Sequence, residues 1–436
     1  MITELRQKAI RHLWHPYTNI ESFEKTDFPI IERAEGVYMY ELDGKKLLDG
    51  ISSWWCVNFG HSRPELVTAI QSQAEELQHS ILGGMSHPKA INLAEKIAKL
   101  APGNLNYAYF AGDGASATEA ALKIAIQYWH QSGKQEKAKF ICLEEGYHGD
   151  TLGAVGVGYV ETFHNKFKSV IQESYRACSP HCADCPFKKN PDSCDIECFA
   201  SMEDLIRKHH KKTAAVILEP LCQGAGGIRI YPDEYLRRLR KLCDKFRLLL
   251  IADEIAVGFG RTGSMFACTH AGIVPDMMLI GKGLTGGYLP MSAVIVTDKI
   301  YDSFRSDGIT DKTFYHGHTY CGNPISSNLA LAALNLYEEL DILELIKPRI
   351  KQLKQGMNKL GKILNNSPAL TLGMIGVVEV NDAAGGVERA KEIKAKARDL
   401  GLFIRPLGRS IYLWPPLVAT EEELGEMIKF LCVAAS

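Results

Sequence analysis

Short apolar runs alternate with longer amphipathic segments through the middle of this chain. The runs are rich in Ile, Leu and Val, as expected of strands that are buried on both faces of a sheet. Candidate strands lie at 107–110, 139–143, 214–218, 248–252, 277–280 and 292–296, and helical patterns such as 117–131 and 232–246 lie between them. This alternation is typical of βαβ units, so the sequence predicts a large α/β domain around a mostly parallel sheet.

The two ends of the chain differ from its middle. Short segments and turns fill residues 1 to about 65, and long helical patterns follow residue 326, at 326–340, 345–364 and 386–399, with strands near 376–380 and 410–414. A chain of 436 residues is also too long for one core of ordinary size. We therefore expect a large domain at 66–325 and a smaller domain from both ends, comprising an N-terminal segment at 1–65 and a C-terminal part at 326–436.

Charge and hydropathy narrow the range of partners. The formal net charge of −1 gives no electrostatic reason to expect nucleic acid or an anionic membrane. The N-terminal residues mix charges into every turn and lack the apolar stretch of a signal peptide. The most apolar run, at 248–258, contains Asp253 and Glu254 and is too short to span a bilayer. We therefore expect a cytoplasmic protein whose twelve cysteines are mostly reduced thiols.

A glycine turn, GDGASA from Gly112 to Ala117, follows the first candidate strand and opens a helical pattern. One interpretation is an NAD-binding turn, which requires an acidic residue about 20 positions later to bind a ribose. Glu144 and Glu145 come about 32 positions after Gly112, which is late. The other interpretation is a cradle for one phosphate, because small residues at a helix N-terminus expose N–H groups and a positive dipole end. Ser116 could add a hydroxyl donor or cap the helix.

A lysine and an aspartate favour the single phosphate. Asp253 and Lys282 each follow a buried strand, at the sheet edge where open α/β sheets bind ligands. Burying a lysine is costly without a partner or a covalent role, and desolvation favours the neutral amine that attacks an aldehyde. A lysine, a carboxylate, an aromatic face and a phosphate cradle together suit pyridoxal 5′-phosphate (PLP). A helix-capping Asp253 and a surface Lys282 remain the structural alternatives.

Several segments of the chain resemble a known enzyme family. LLIADEIAVGFGRTG, PDMMLIGKGLTGGYLP and HGHTYCGNP are similar to the class III (ω-type) aminotransferases, which have PLP-dependent transferase fold type I. HLWHPYT (12–18), DGISSWWCVNFGH (49–61), EPLCQGAGG (219–227) and RPLGRSIYLWPP (405–416) resemble the branch that converts 8-amino-7-oxononanoate to 7,8-diaminononanoate in biotin synthesis. The resemblance covers nearly the whole chain. It implies a large α/β domain with a seven-stranded, mostly parallel sheet, and a smaller α+β domain from both chain ends.

The resemblance also implies roles at the cofactor. Lys282 is the Schiff-base lysine, Asp253 the partner of the pyridine nitrogen, and Tyr147 stacks on the cofactor ring. The other residues implied to bind the cofactor are Gly114, Ala115, Ser116, His148, Glu219 and Thr319. The family usually has Ser where this chain has Ala115, and the candidates to replace that contact are Ser116 and Asp113. Thr319 is expected to reach the phosphate of the other subunit, which implies a homodimer with active sites at the interface.

For the substrate, the resemblance points to Arg405 as the carboxylate clamp, since a guanidinium binds a carboxylate bidentately. The other residues implied to bind substrate are Tyr17, Trp54, Trp55, Asp150 and Tyr412. Neighbouring residues on a strand face opposite ways, so we expect only one of the two tryptophans to line the pocket, with Trp54 favoured.

The amino donor has two candidates. Positions Tyr17, Trp54 and Asp150 resemble the branch members that use S-adenosylmethionine, which is the donor we expect. The adenosylmethionine users commonly carry an aromatic residue where this chain has Leu407, so lysine stays open as a donor. Another class III enzyme, acting on ornithine, 4-aminobutyrate or a similar amine, is the nearest alternative function.

A cysteine-rich segment from Cys178 to Cys198 falls outside these motifs. Cys182-x-x-Cys185 and a second pair, Cys194 and Cys198, would suffice for a tetrahedral zinc site. Relatives carry similar insertions, and we expect no metal here, with zinc at these four cysteines as the alternative.

Overall fold

The computed structural model describes residues 2–189, 193–306, 308–309 and 311–436. Its strands are β1 (Ile31–Glu35), β2 (Tyr38–Glu41), β3 (Lys46–Asp49), β4 (Leu105–Ala111), β5 (Lys139–Leu143), β6 (Tyr175–Ala177), β7 (Thr213–Leu218), β8 (Cys222–Gln223), β9 (Arg229–Ile230), β10 (Leu249–Asp253), β11 (Met277–Ile280), β12 (Ser292–Thr297), β13 (Ala369–Leu372), β14 (Ile375–Glu379), β15 (Leu402–Phe403) and β16 (Ser410–Leu413).

The helices are α1 (Ile2–His12), α2 (Ile20–Glu24), α3 (Ser52–Trp55), α4 (Pro64–Glu76), α5 (Pro88–Leu100), α6 (Gly114–Gln131), α7 (Leu152–Val157), α8 (Glu161–His164), α9 (Phe199–His209), α10 (Asp233–Phe246), α11 (Asp298–Ser303), α12 (Pro324–Glu339), α13 (Ile342–Leu345), α14 (Lys347–Ile363), α15 (Gly386–Asp399) and α16 (Glu421–Ala435). Short 3₁₀ turns lie at Asn165–Val170, Ala267–Ala271, Lys282–Leu284 and Asp382–Ala384. Across these described ranges, no helix is both long and apolar enough to cross a bilayer.

A seven-stranded sheet in the order β4-β12-β11-β10-β7-β5-β6 forms the centre of the fold. Strands β6, β5, β7, β10 and β11 run parallel, and only β12 is antiparallel to its neighbours β4 and β11. This sheet confirms the predicted α/β class, and all six predicted strands are present in it. The sequence missed β6, because a three-residue edge strand is too short to show a pattern.

Side chains of the central strands alternate between two hydrophobic cores. Ile217 packs in the core beneath α6, whereas Val216 and Leu218 face the core on the other side of the sheet. Successive side chains thus enter different cores, and both faces of the sheet are covered. This explains why the strands appear in the sequence as continuous apolar runs. The carboxyl ends of the parallel strands are thereby left as the accessible edge.

The chain ends meet in smaller sheets. In the four-stranded sheet β1-β2-β3-β15, Leu48 and Asp49 pair with Leu402 and Phe403 in parallel register. Strands β13, β14 and β16 form a three-stranded sheet. The N-terminal and C-terminal parts of the chain are therefore hydrogen-bonded to each other, while the domain boundaries at residues 65 and 325 stay predictions.

The two tryptophans after β3 do not lie on a strand. They end α3, a distorted helical turn in which Ser53 and Trp54 have φ values of 44° and 75°. Asp49 stabilises this turn, since its carboxylate accepts hydrogen bonds from the Ile51 N–H at 3.2 Å and the Ser53 hydroxyl at 2.7 Å. The expectation that the tryptophans point to opposite faces of a strand is therefore wrong.

Candidate active site

A cavity of about 700 Å³ opens at the carboxyl edge of the central sheet. Strands β7, β10 and β11 each deliver a functional side chain to it, and the turn between β4 and α6 closes one side. The predicted site residues that line it are Trp55, Gly114, Ala115, Tyr147, His148, Asp150, Glu219, Asp253 and Lys282. The fold thus brings together residues that are more than 200 positions apart in the sequence.

Lys282 lies just after β11 with a φ of 42°, and its side chain is inside the cavity. Its Nζ atom lies 5.4 Å from the centre of the Trp55 ring. Burial lowers the pKa of Lys282, and the nearby carboxylate of Asp253 opposes that shift only in part. A buried amine with a lowered pKa is available as a nucleophile and as a base.

Asp253 ends β10 and pairs with His148. The Oδ2 atom of Asp253 lies 2.6 Å from Nδ1 of His148, and its Oδ1 atom accepts the Ile255 N–H at 3.1 Å. Burial alone would lower the pKa of His148, but the hydrogen bond and charge of Asp253 outweigh it, so that pKa is raised. His148 Nε2 is buried without a hydrogen-bond partner among the described residues. The His148 ring and the Ile255 N–H thus hold the Asp253 carboxylate in the cavity wall.

The glycine turn forms a cradle at the N-terminus of α6. The N–H groups of Gly114 and Ala115 lie in its first turn, where backbone donors lack intrahelical partners. A Cβ atom at Gly149, whose φ is 117°, would lie 2.4 Å from the Cβ of Ala115, so glycine is required there. The turn is therefore shaped to bring backbone N–H groups close to a ligand.

Ser116 does not join this cradle. The side chain of Asp113 caps the helix, accepting the Ser116 N–H at 2.9 Å and the Ser116 hydroxyl at 2.8 Å. Ser116 is also outside the set of residues that line the cavity. The structure thus gives Ser116 a capping contact instead of the predicted phosphate contact, because both of its donors are already used.

Glu219 supports the loop that carries Tyr147. Its carboxylate accepts the Tyr147 N–H at 3.0 Å and the Gly224 N–H at 2.7 Å. Burial raises the pKa of Glu219 to about 7, with His148 acting in the opposite direction. Glu219 therefore lines the cavity as a group that titrates near neutral pH.

Tyr17, Tyr147 and Asp150 form a hydrogen-bonded cluster at the mouth of the cavity. Both phenol groups donate to Oδ2 of Asp150, the one from Tyr147 at 2.8 Å, and the two phenol oxygens lie 3.1 Å apart. Burial raises the pKa of Tyr17 to about 12, with a further contribution from the hydrogen bond to Asp150. For Asp150, burial would raise the pKa, but hydrogen bonds from His164 and the two tyrosines lower it overall. The carboxylate is thus held in its ionised form.

Arg405 and Trp54 lie beside that cluster. The Arg405 guanidinium lies 4.5 Å from the centre of the Trp54 ring, which contacts Tyr17 edge-on at 5.6 Å. Stacking on an aromatic face leaves the edge of the guanidinium able to bind a carboxylate. Arg405, Trp54 and Tyr17 come from both ends of the chain and meet beside the cavity.

Trp55 is the tryptophan that lines the cavity. It is 4% exposed, whereas Trp54 is 38% exposed and lies outside the lining. Trp55 Nε1 donates to the hydroxyl of Tyr412 at 3.3 Å, and its ring stacks on Trp414 at 5.0 Å. The preference for Trp54 is therefore corrected, since the distorted turn of α3 directs Trp55 inward and Trp54 toward Arg405. Tyr412 is buried behind Trp55 and does not itself line the cavity.

Two predicted features lie elsewhere. Thr319 is exposed in the segment before α12 and does not line the cavity of its own chain. Cys182, Cys185, Cys194 and Cys198 line a separate cavity of about 20 Å³. Within the ranges that the structure describes, no group of three or more His, Cys, Asp or Glu side chains is arranged to hold a metal ion. No disulfide joins the described cysteines.

Among the residues of the site that sequence reasoning did not single out are Cys56 and His164. Cys56 lines the cavity beside Trp55. His164 contacts Asp150 with an Nε2–Oδ1 distance of 3.3 Å, although it belongs to α8 and lies outside the recognised motifs. The two histidines of the site, His148 and His164, are each buried against a carboxylate, and only the first stands in a segment that the sequence singled out.

Comparisons with known proteins agree with this geometry. The pattern of the family "Aminotransferase class-III" matches residues 22–434. The adenosylmethionine-8-amino-7-oxononanoate aminotransferase of Geobacter sulfurreducens is 39% identical over 432 residues, covering 97% of this chain and 95% of the relative. The crystal structure of the enzyme of that name from Methanocaldococcus jannaschii has a TM-score of 0.93 and 36% identity, covering 99% of this chain and 98% of that one. The ω-transaminase of Pseudomonas jessenii in complex with PMP has a TM-score of 0.92 and 27% identity, covering 99% and 97%.

Proposed function

This chain belongs to the class III aminotransferases, and from that membership we propose that it transfers an amino group to 8-amino-7-oxononanoate, giving 7,8-diaminononanoate for biotin synthesis. Class III aminotransferases depend on PLP, and we propose PLP as the cofactor of this chain. The observation that carries the proposal is the convergence of Lys282, Asp253 and the glycine cradle on one cavity. An NAD-dependent dehydrogenase, which the glycine turn alone left open, is wrong, because the family is a different one and the turn faces a buried lysine.

The residues of the cavity fit PLP. The N–H groups of Gly114 and Ala115 would bind its phosphate, and Asp253 would hold the pyridine nitrogen in its protonated form. When bound, PLP withdraws electrons from the substrate carbon that loses a proton. Lys282 is the base on this chain that accepts that proton and returns it, because burial favours its neutral amine.

The substrate side suits a long amino keto acid. Arg405 would bind the carboxylate bidentately, and Trp54 and Tyr17 would contact the aliphatic chain. Trp55 closes the inner end of the cavity next to Lys282. Glu219 holds the loop of Tyr147 in place, and Tyr147 lines the cavity as the aromatic contact for the cofactor.

For the amino donor we propose S-adenosylmethionine, which is consistent with the names of the relatives and with the Tyr17, Trp54 and Asp150 cluster. Lysine remains the alternative donor, because Leu407 is not aromatic. The resemblance to the P. jessenii ω-transaminase supports a simple ω-amine as the second candidate substrate. Turnover measured with each donor in turn separates these possibilities.

We further propose a homodimer in which Thr319 serves the partner's site. Thr319 is exposed and does not line the cavity of its own chain, and the neighbouring Tyr315 and Tyr320 are 80% and 65% exposed. Exposed aromatic side chains in one segment are typical of a surface that another chain covers. A dimer in solution whose affinity for PLP falls in Thr319→Ala would support this arrangement, and a monomeric holoenzyme would refute it.

The visible absorption spectrum of the purified protein tests the proposal. A yellow band that bleaches on addition of S-adenosylmethionine would support both cofactor and donor. A yellow band that responds only to lysine or another amine would keep the cofactor and replace the donor. Absence of the band after PLP is added would refute the cofactor. The control is Lys282→Ala, which we expect to bind PLP without turnover, so substantial activity in this variant would contradict the role of Lys282.

A further inference from the structure

His164 is buried in α8 with one ring nitrogen already committed. Its Nδ1 atom accepts the backbone N–H of Val160 at 3.0 Å. A nitrogen that accepts a hydrogen bond carries no proton, so the proton of the neutral ring is on Nε2. The backbone of α8 thereby fixes the tautomer of His164.

That tautomer makes Nε2 a donor to Asp150. The Nε2 atom lies 3.3 Å from Oδ1 of Asp150, while Tyr17 and Tyr147 both donate to Oδ2. Three donors from three separate segments therefore converge on one carboxylate. Without His164, Oδ1 of Asp150 would have no donor among these contacts. The carboxylate could then rotate about its Cβ–Cγ bond, because both tyrosines donate to the same oxygen atom, Oδ2.

The ring of His164 is itself held in place. It lies parallel to the Tyr147 ring at 6.2 Å and tilted against the Tyr159 ring at 5.9 Å. Its side chain is 3% exposed, whereas that of Asp150 is 51% exposed and faces the cavity. A fixed, buried donor behind a partly open carboxylate is the arrangement that orients an acceptor toward a ligand.

We propose that His164 is a positioning residue that aims the ionised Asp150 at the ammonium group of substrates in this cavity. This inference rests on the proposed function, in which 8-amino-7-oxononanoate carries an ammonium next to the reacting ketone. Asp150 binds that ammonium through the lone pairs that its three donors leave free. His164 touches neither substrate nor cofactor and acts through Asp150.

Two substitutions separate positioning from packing. His164→Asn keeps an acceptor for the Val160 N–H but is too short to reach Asp150, whereas His164→Gln places an amide N–H near the position of Nε2. The readout is the ratio of kcat/KM for 8-amino-7-oxononanoate to kcat/KM for 7-oxononanoate, which lacks the amine. Both rates share the same cofactor loading and the same fraction of folded enzyme, so a general structural defect leaves the ratio unchanged.

In His164→Asn we expect this ratio to fall by about tenfold, the effect of one hydrogen bond to a charged group. In His164→Gln it returns to within about threefold of the wild type. Equal loss for both acceptors in His164→Asn, or no recovery in His164→Gln, would overturn the proposal.

A spectroscopic measurement tests the contact without any turnover. In holoenzyme labelled with ¹⁵N-histidine, the imidazole signal that disappears in His164→Asn is expected to show a protonated Nε2 and an unprotonated Nδ1 at neutral pH. A protonated Nδ1 would refute the fixed tautomer. If the wild type does not convert 8-amino-7-oxononanoate, the proposed substrate is wrong. The ratio of kcat/KM is then measured for lysine and 2-aminohexanoate as donors, the second of which lacks the side-chain amine. An unchanged ratio in His164→Asn would overturn the positioning role.

Discussion

His148 Nδ1 and Asp253 Oδ2 lie 2.6 Å apart, with both side chains buried in the wall of the cavity. The pairing fixes the carboxylate on one side, while the N–H of Ile255 fixes it on the other. Such a carboxylate has little freedom to rotate, so its charge is directed at the ligand that the cavity takes. Substitution of either side chain of the pair, Asp253 or His148, should therefore change catalysis more than folding.

Asp253→Asn tests this arrangement. We expect the variant to fold and bind PLP but to lose at least about 100-fold in kcat, because an amide cannot keep the pyridine nitrogen protonated. Steady-state kinetics with the absorbance of the bound cofactor provide the measurement. The matched control is Glu254→Gln, since Glu254 is equally buried but binds the N–H groups of Ala267 and Cys268 outside the cavity. A kcat for Asp253→Asn within about threefold of the wild type would contradict the prediction.

Arg405→Gln should weaken carboxylate binding. We expect kcat/KM for 8-amino-7-oxononanoate to fall by about 10- to 100-fold, the cost of losing hydrogen bonds between charged groups, with the effect mainly in KM. Arg409→Gln is the control on the same loop, because Arg409 pairs with Asp184 at 2.5 Å and Glu379 at 3.3 Å, away from the cavity. If the two variants lose activity equally, Arg405 is not the clamp.

The pH dependence of stability should report Glu219. Burial raises its pKa from 4.5 to about 7, so the folded chain keeps a proton there that the unfolded chain releases. Its contribution to stability is thus present below about pH 4.5 and is lost as the pH rises through about 7. In Glu219→Gln this loss, of about 3 kcal/mol, should disappear, so that the melting temperature changes less with pH than in the wild type. The surface variant Glu388→Gln should follow the wild type, and an unchanged pH slope in Glu219→Gln would reject the assignment.

Ser116→Ala should leave PLP affinity within about twofold of the wild type, since the Ser116 hydroxyl is hydrogen-bonded to Asp113 and not directed to the cavity. Asp113→Ala removes the helix cap and should destabilise the protein by about 1 kcal/mol. Equilibrium titration with PLP and thermal unfolding measure the two effects. A tenfold or greater loss of affinity in Ser116→Ala would restore the phosphate contact that the sequence suggested.

The sequence allowed the central sheet to be predicted, because its strands are buried on both faces and therefore appear as apolar runs. Lys282 and Asp253 could be recognised for the related reason that polar residues stand out at the ends of such runs. The turn at Trp54 and Trp55 could not be predicted, since its positive φ values arise from contacts with Asp49. A strand rule that fixes alternating directions does not apply to left-handed residues.

Sequence reasoning also left two side-chain contacts of the site undecided or unseen. Ser116 looked like a phosphate ligand because its residue type suits that role, but the competing acceptor Asp113 is three positions away and binds both of its donors. His164 gave no signal, because its importance comes from the position of Asp150 in the folded chain and not from its neighbours in sequence.

The pairing of β3 with β15 sets an order for synthesis on the ribosome. The lysine, the aspartate and the glycine cradle are all translated by residue 282, and β12, the strand that joins β4 to β11, follows at Ser292–Thr297. Trp54 and Tyr17 are made first of all, yet their partner Arg405 is among the last residues to emerge, together with the strand that binds β3. The strands of the cofactor side are therefore all synthesised before the last residue of the substrate side, Arg405.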